Sequence, residues 1–324
     1  MRSYNFYFLV LLLVSYNCFA QKIYQHNEKL VGQIFYTEKI AIPVENAGYT
    51  LVLPDDNEAD GLVVFLNSNR DAGKVVEEPS LEFFAIQNNL GILFITTGNK
   101  LEFFFAEDSI KKVDRYIGEV IESYNIPKQN LFFAGMSLSG TRALKYTQFC
   151  VEGKSEYGIL PAAVAVCDAP LDFVRFWKEA DKAKRLNFNQ ITANEGEWVT
   201  GYLERNLGGT PKGNLEAYQN YSVYCYTDSE GGNVSLLRDT PVRAYTEPDV
   251  LWWMETRRKD YYAMNALDLA AMINELNISG NQNADLIITF DKGYHPDGTR
   301  HPHSWSIVDN EELVKWFLTF IDKK

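Results

Sequence analysis

Residues 130–144, Asn-Leu-Phe-Phe-Ala-Gly-Met-Ser-Leu-Ser-Gly-Thr-Arg-Ala-Leu, constrain the fold more than any other stretch of this chain. Leu131 to Ala134 is a short apolar run that reads as a buried strand, and Leu138 to Phe149 continues with a helix-like pattern. Between them, Gly135-Met-Ser137-Leu-Ser139-Gly140 forces a turn so crowded that small residues must flank Ser137. A strand that passes straight into a helix in this way belongs to a sheet buried on both faces, and the turn lifts the serine hydroxyl above the sheet edge. The motif departs from Gly-x-Ser-x-Gly, because Ser139 fills its last position and Gly140 comes one step later. A Gly-rich turn that merely joins strand to helix is the competing reading.

The rest of the chain repeats the strand-and-helix rhythm. Ile40 to Val44 and Tyr49 to Pro54 read as two early strands joined by the turn Glu45-Asn46-Ala47-Gly48. Leu62 to Leu66, Gly91 to Thr96, Ala162 to Cys167, Val242 to Tyr245 and Ala284 to Phe290 are further apolar runs, most of them separated by helix-length segments. Ile110, Val113, Ile117, Val120, Ile121 and Tyr124 recur on one face of a helix, with Asp108 or Ser109 as its cap and Pro127 as its stop. Near the C-terminus, Leu313, Trp316, Phe317, Phe320 and Ile321 form a second such face, started by Asp309 with Glu312 three residues on.

Composition narrows the partners and the compartment. A net charge of −12, with no basic stripe interleaved with aromatics, repels phosphate backbones and excludes nucleic acid as a partner. Residues 1–20 open with Arg2, run through apolar Phe8 to Val14 and close on Cys18-Phe19-Ala20, the pattern of a cleaved secretory signal. Residues 21–324 then form the folded domain, secreted or periplasmic. Lipidation at Cys18 is the weaker reading, since Asn17 replaces the small residue that such processing prefers. The apolar core of the leader is short of the roughly 20 residues that a spanning helix needs, and nothing later resembles a membrane span. Cys150, Cys167 and Cys225 remain, an odd number that argues against a disulfide framework.

Eight strands, the first pair antiparallel, with the Ser137 turn directly after the fifth, resemble the α/β-hydrolase superfamily over roughly residues 40–321. The resemblance implies a mostly parallel eight-stranded sheet with helices on both faces. It also implies a helical cap inserted at about residues 169–240, and a serine esterase or peptidase that needs no cofactor. It further implies a catalytic order of serine, then acid, then histidine. Ser137 is then the nucleophile. His295, His301 and His303 all follow the last strand, and His303, in His-Ser-Trp before the closing helix, is the preferred base. Asp249, in Glu247-Pro248-Asp249 after the seventh strand, is the preferred acid, with Asp168 and Glu247 as alternatives. A metal site using His301, His303 and Asp297 is a rival reading that the resemblance does not need. Two backbone donors, from Leu138 and from Ser68 or Asn69, would form the oxyanion hole. The aromatics of the insertion, from Phe173 to Tyr226, mostly serve as its core; the remainder, with Trp252, Trp253 and Trp305, line an acyl, aryl or sugar subsite. The expected substrate is a small-molecule or saccharide ester. A peptidase of the same fold and a binding module with a vestigial site stand as alternatives, and the sequence carries no signal of oligomeric state.

Overall fold

The computed structural model describes residues 21–38, 40–55, 58–66, 68 and 76–322. The proposed leader, residues 1–20, lies outside them, as does Asn69. Eight strands form one sheet: β1 (Gln21–Glu28), β4 (Ala47–Pro54), β5 (Gly61–Leu66), β6 (Leu90–Thr96), β7 (Leu131–Met136), β8 (Ala163–Cys167), β9 (Val242–Thr246) and β10 (Ala284–Ile288). Their spatial order is β1-β4-β6-β5-β7-β8-β9-β10, antiparallel through β1, β4 and β6 and parallel from β6 onward.

The early strands differ from the sequence reading in one respect. The run at Ile40 does not pair with β4; β3 (Ala41–Pro43) joins β2 (Gln33–Phe35) in a separate two-stranded ribbon. The partner of β4 is instead β1, which registers Gln21 opposite Pro54 and Glu28 opposite Ala47. Gln21–Glu28 is a polar edge strand, packed on one side only, so it lacks the apolar run that marks its neighbours. His26 therefore sits inside the sheet, its ring 5.3 Å from Tyr49 and 5.7 Å from Tyr116.

Alternation along each strand fills two layers. Leu131 and Phe133 point to one face, where α2 (Glu107–Tyr124), α3 (Leu138–Val151) and α8 (Asn265–Ile278) pack. Phe132 and Ala134 point to the other, covered by α1 (Leu81–Gln87) and α9 (Asn310–Leu318). Each fully buried apolar side chain here contributes about 1.5–3 kcal/mol relative to exposure. Helix α2 starts at Glu107, slightly earlier than its polar cap candidates suggest; Glu107 and Asp108 fill the first turn, where the helix dipole favours acids. The cap of α9 is as the sequence indicates, with the Asp309 side chain accepting from the Glu312 amide.

Between β8 and β9 the chain leaves the sheet to form α4 (Phe173–Leu186), α5 (Gln190–Leu207), α6 (Leu215–Tyr221) and a 3-10 turn (Gly232–Leu237). Phe173, Tyr202, Tyr218 and Tyr221 make the core of this insertion. Tyr36 and Phe103, from outside it, complete that core. The three cysteines Cys150, Cys167 and Cys225 are buried and free. Among the described residues no helix is long and apolar enough to cross a membrane.

Candidate active site

Strand β7 delivers Ser137 to the N-cap of α3 with φ 54° and ψ −130°, a left-handed conformation rare for a residue with a side chain. Such strain persists only where the surroundings enforce it. Here they do. A Cβ on Gly135 would lie 2.4 Å from the Ser139 carbonyl carbon, and one on Gly140 would lie 2.9 Å from both the Ala169 Cβ and the Gly135 oxygen. The second position that must be small is thus 140. Ser139 has room for its hydroxyl, which donates to the Leu66 carbonyl at the end of β5 (2.5 Å) and ties the turn to the neighbouring strand. The displaced glycine of the sequence motif is explained by that tie.

Across the sheet edge, His303 lies in the segment between β10 and α9, its Nδ1 2.5 Å from an Asp168 carboxylate oxygen. Asp168 follows β8 directly and also has a positive φ, 45°. Its other carboxylate oxygen accepts from the Thr246 hydroxyl (3.3 Å), its amide donates to the Tyr245 carbonyl, and its own carbonyl accepts from the Asn265 side chain (2.9 Å). Asp168 is only 6% exposed, so its link to the imidazole is shielded from water.

The preferred acid of the sequence reading, Asp249, does not face the ring. One of its oxygens caps α7 (Val250–Arg257) by accepting from the Trp252 amide, and the other receives the Arg300 guanidinium at 2.5 Å. These contacts, the amide first, hold its carboxyl below the ordinary range. Glu247 is equally committed, to Arg300 at 2.8 Å and to the Thr289 hydroxyl at 2.5 Å. Arg300 also donates to the Lys292 carbonyl. The two acids after β9 therefore anchor the loop that carries His301 and His303. Sequence spacing pointed to Asp249 and did not register that Arg300, three residues upstream of His303, would claim both it and Glu247.

The remaining candidates fall outside the pair. His295 is exposed in a turn closed by its own amide to Thr299, and the Asp297 carboxylate accepts from Thr299. His301 is enclosed by Trp252 and Trp253, at ring distances of 4.7 and 5.7 Å, with its Nε2 3.4 Å from Arg257. Burial pushes its pKa down to about 4, so it is neutral and accepts from the guanidinium. Its Nε2 faces a cation and Asp297 serves its own turn, so the metal triad imagined from spacing does not converge.

Of the backbone donors, Leu138 opens α3, where the first N–H groups have no partner inside the helix. Ser68 does not offer its amide, which donates to the Ile95 carbonyl in the sheet ladder (2.9 Å).

Ser137, Leu138, Asp168 and His303 open into one cavity of about 390 Å³. The insertion supplies Phe176 and Trp198 to its wall, and α7 supplies Trp253. Trp305 packs elsewhere, edge-on to Phe65 on the far face of the sheet. A half-buried serine and a carboxylate-held imidazole lining one cavity are the parts from which nucleophilic acyl transfer is built.

No family model matches this chain, and no curated protein does. Solved structures do. Carboxyl esterase 2 from Tuber melanosporum matches with a TM-score of 0.52 at 12% identity, over 92% of this chain and 88% of that one. A structure from an analysis of two prolyl endopeptidases matches with a TM-score of 0.55 at 12% identity, over 94% of this chain and 39% of that one. The acylaminoacyl peptidase of Pyrococcus horikoshii matches with a TM-score of 0.52 at 10% identity, over 93% and 40%. This chain therefore spans less than half of either peptidase chain. Sheet order, the strained turn at Ser137 and these superpositions agree on one architecture: the chain has the α/β-hydrolase fold of the superfamily that its sequence resembles.

Proposed function

We propose that the protein is a serine hydrolase acting on carboxylic esters through an acyl-enzyme, exported to the periplasm or beyond the cell. Ser137 attacks the ester carbonyl, His303 takes its proton and returns it to the leaving alcohol, and Asp168 fixes the imidazole tautomer and stabilises the imidazolium. The Leu138 N–H is one oxyanion donor, and α4 to α6 form a cap over the acyl cavity. The observation that carries this reading is the 2.5 Å contact between His303 Nδ1 and Asp168, on the cavity into which Ser137 is forced by a positive φ. Catalytic groups at such strained positions are a recurrent use of stored backbone energy.

A fluorophosphonate probe tests it: labelling of the wild-type protein and none of Ser137→Ala supports the mechanism, and equal labelling of both removes it. Because two of the similar structures are peptidases, amide substrates form a second arm beside aryl, alkyl and sugar esters. Absence of labelling and of turnover on every arm would favour a binding module instead. N-terminal sequencing of the exported protein, expected to begin at Gln21, tests the leader.

A further inference from the structure

The reaction cavity carries one cation that nothing among the described residues neutralises. Five ionisable side chains besides Asp168 and the histidines line it: Glu179, Glu195, Glu247, Arg257 and Lys259. Lys259 is paired with Glu179 at 2.7 Å, and Glu247 with Arg300 at 2.8 Å. Glu195 is exposed on α5 and forms no ion pair with Arg257. Arg257, half-buried at the end of α7, has no carboxylate within 4.0 Å among the described residues; its side-chain partner is the His301 Nε2. That partner is a neutral ring, since burial holds His301 at about 4, so it orients the guanidinium without cancelling its charge. Arg257 lies in the last turn of α7, where the helix dipole favours a cation, but the side-chain bond back to a helix carbonyl is made by Arg258, to Met254, and not by Arg257.

A guanidinium that is partly desolvated, steered by one imidazole and left with free donors is a fork for a planar anion. It lies one ring beyond the base, since His301 is 6.3 Å from His303. We propose that Arg257 is a specificity-determining residue that binds a carboxylate carried by the substrate, so that the preferred esters are anionic. The inference rests on the hydrolase reading above for its kinetics, and on binding alone for its independent test.

Binding is read with glutarate as the probe, by tryptophan fluorescence in the Ser137→Ala protein, where Trp252 and Trp253 surround His301 and report on the site. Adding Arg257→Gln should weaken glutarate binding by about 10- to 100-fold, the range of a charge-assisted bond, and Arg257→Lys should restore part of it. Kinetics then locate the carboxylate. Aryl hemiglutarate against aryl pentanoate places it on the acyl side, and acetylated 4-hydroxybenzoate against acetylated 4-hydroxybenzamide places it on the alcohol side. In one of the two pairs the anionic-to-neutral ratio of kcat/KM should fall by a similar factor in Arg257→Gln, through KM. Glutarate binding that ignores Arg257, or ratios that stay constant in both pairs, would overturn the proposal. Loss of all ester turnover with glutarate binding intact would instead strike the hydrolase reading and leave the carboxylate site standing.

Discussion

The chemistry proposed for this chain depends on Ser137, His303 and Asp168, and the nucleophile and the acid make separable claims. Ser137→Ala should lower kcat by up to about 10⁶, as loss of the nucleophile does in comparable triads, measured on whichever ester turns over fastest. Asp168→Asn should keep the fold and lower kcat by about 10⁴, because an asparagine favours the wrong imidazole tautomer. Asp249→Asn, which breaks only an anchor of the histidine loop, should cost far less; the reverse ranking would return the acid to Asp249. His301 makes a claim about pH. Its ordinary value of 6.5 falls to about 4 in the folded protein. Between these values the unfolded chain binds a proton that the folded chain refuses, so this site's contribution to stability is complete above about pH 6.5 and is lost as pH falls towards 4. Urea midpoints at about pH 7 and about pH 4.5 should therefore lie closer together in His301→Gln than in the wild type.

The elements hold those side chains through a few buried contacts. Asp268, on α8, accepts from the amides of Leu171 and Asp172 and pairs with Arg175 of α4 at 2.5 Å, with both side chains 10% exposed or less. It therefore clamps the turn that follows Asp168. Breaking a buried ion pair from one side costs about 3–5 kcal/mol, so Asp268→Asn should destabilise on that scale in urea unfolding and lower turnover with it. Much of the architecture behind these contacts is written in the order of residues. The apolar runs at Leu62, Gly91, Leu131, Ala162, Val242 and Ala284 mark strands because both faces of the parallel sheet are covered, and the Ser137 turn is legible because its crowding admits only small neighbours. Strand β1 was hidden by its polar edge position. The proposed acid was hidden for a different reason: Asp168 and Asp249 each follow a strand in the right order, and only packing, with Arg300 reaching Asp249 and His303 reaching Asp168, tells them apart. The pairing of distant charges is a property of packing, which periodicity does not encode.

At the level of the whole molecule, three packed clusters hold two helical layers and the insertion around one sheet, and the ribbon of β2 and β3 joins the third of them. Tyr36, 1% exposed, lies against Tyr202 and Trp198 and donates its hydroxyl to Asn99 at 2.9 Å. Tyr36→Ala should cost about 3–5 kcal/mol and lower the urea midpoint, with the insertion loosening first. Residues 29–32, between β1 and that ribbon, are largely exposed, Val31 at 92%. The ribbon is thus a strap: it begins on the rim of the floor and is buckled into the roof. A single nick at Lys29 would cut that strap while leaving the sheet and the contact of His303 with Asp168 in place.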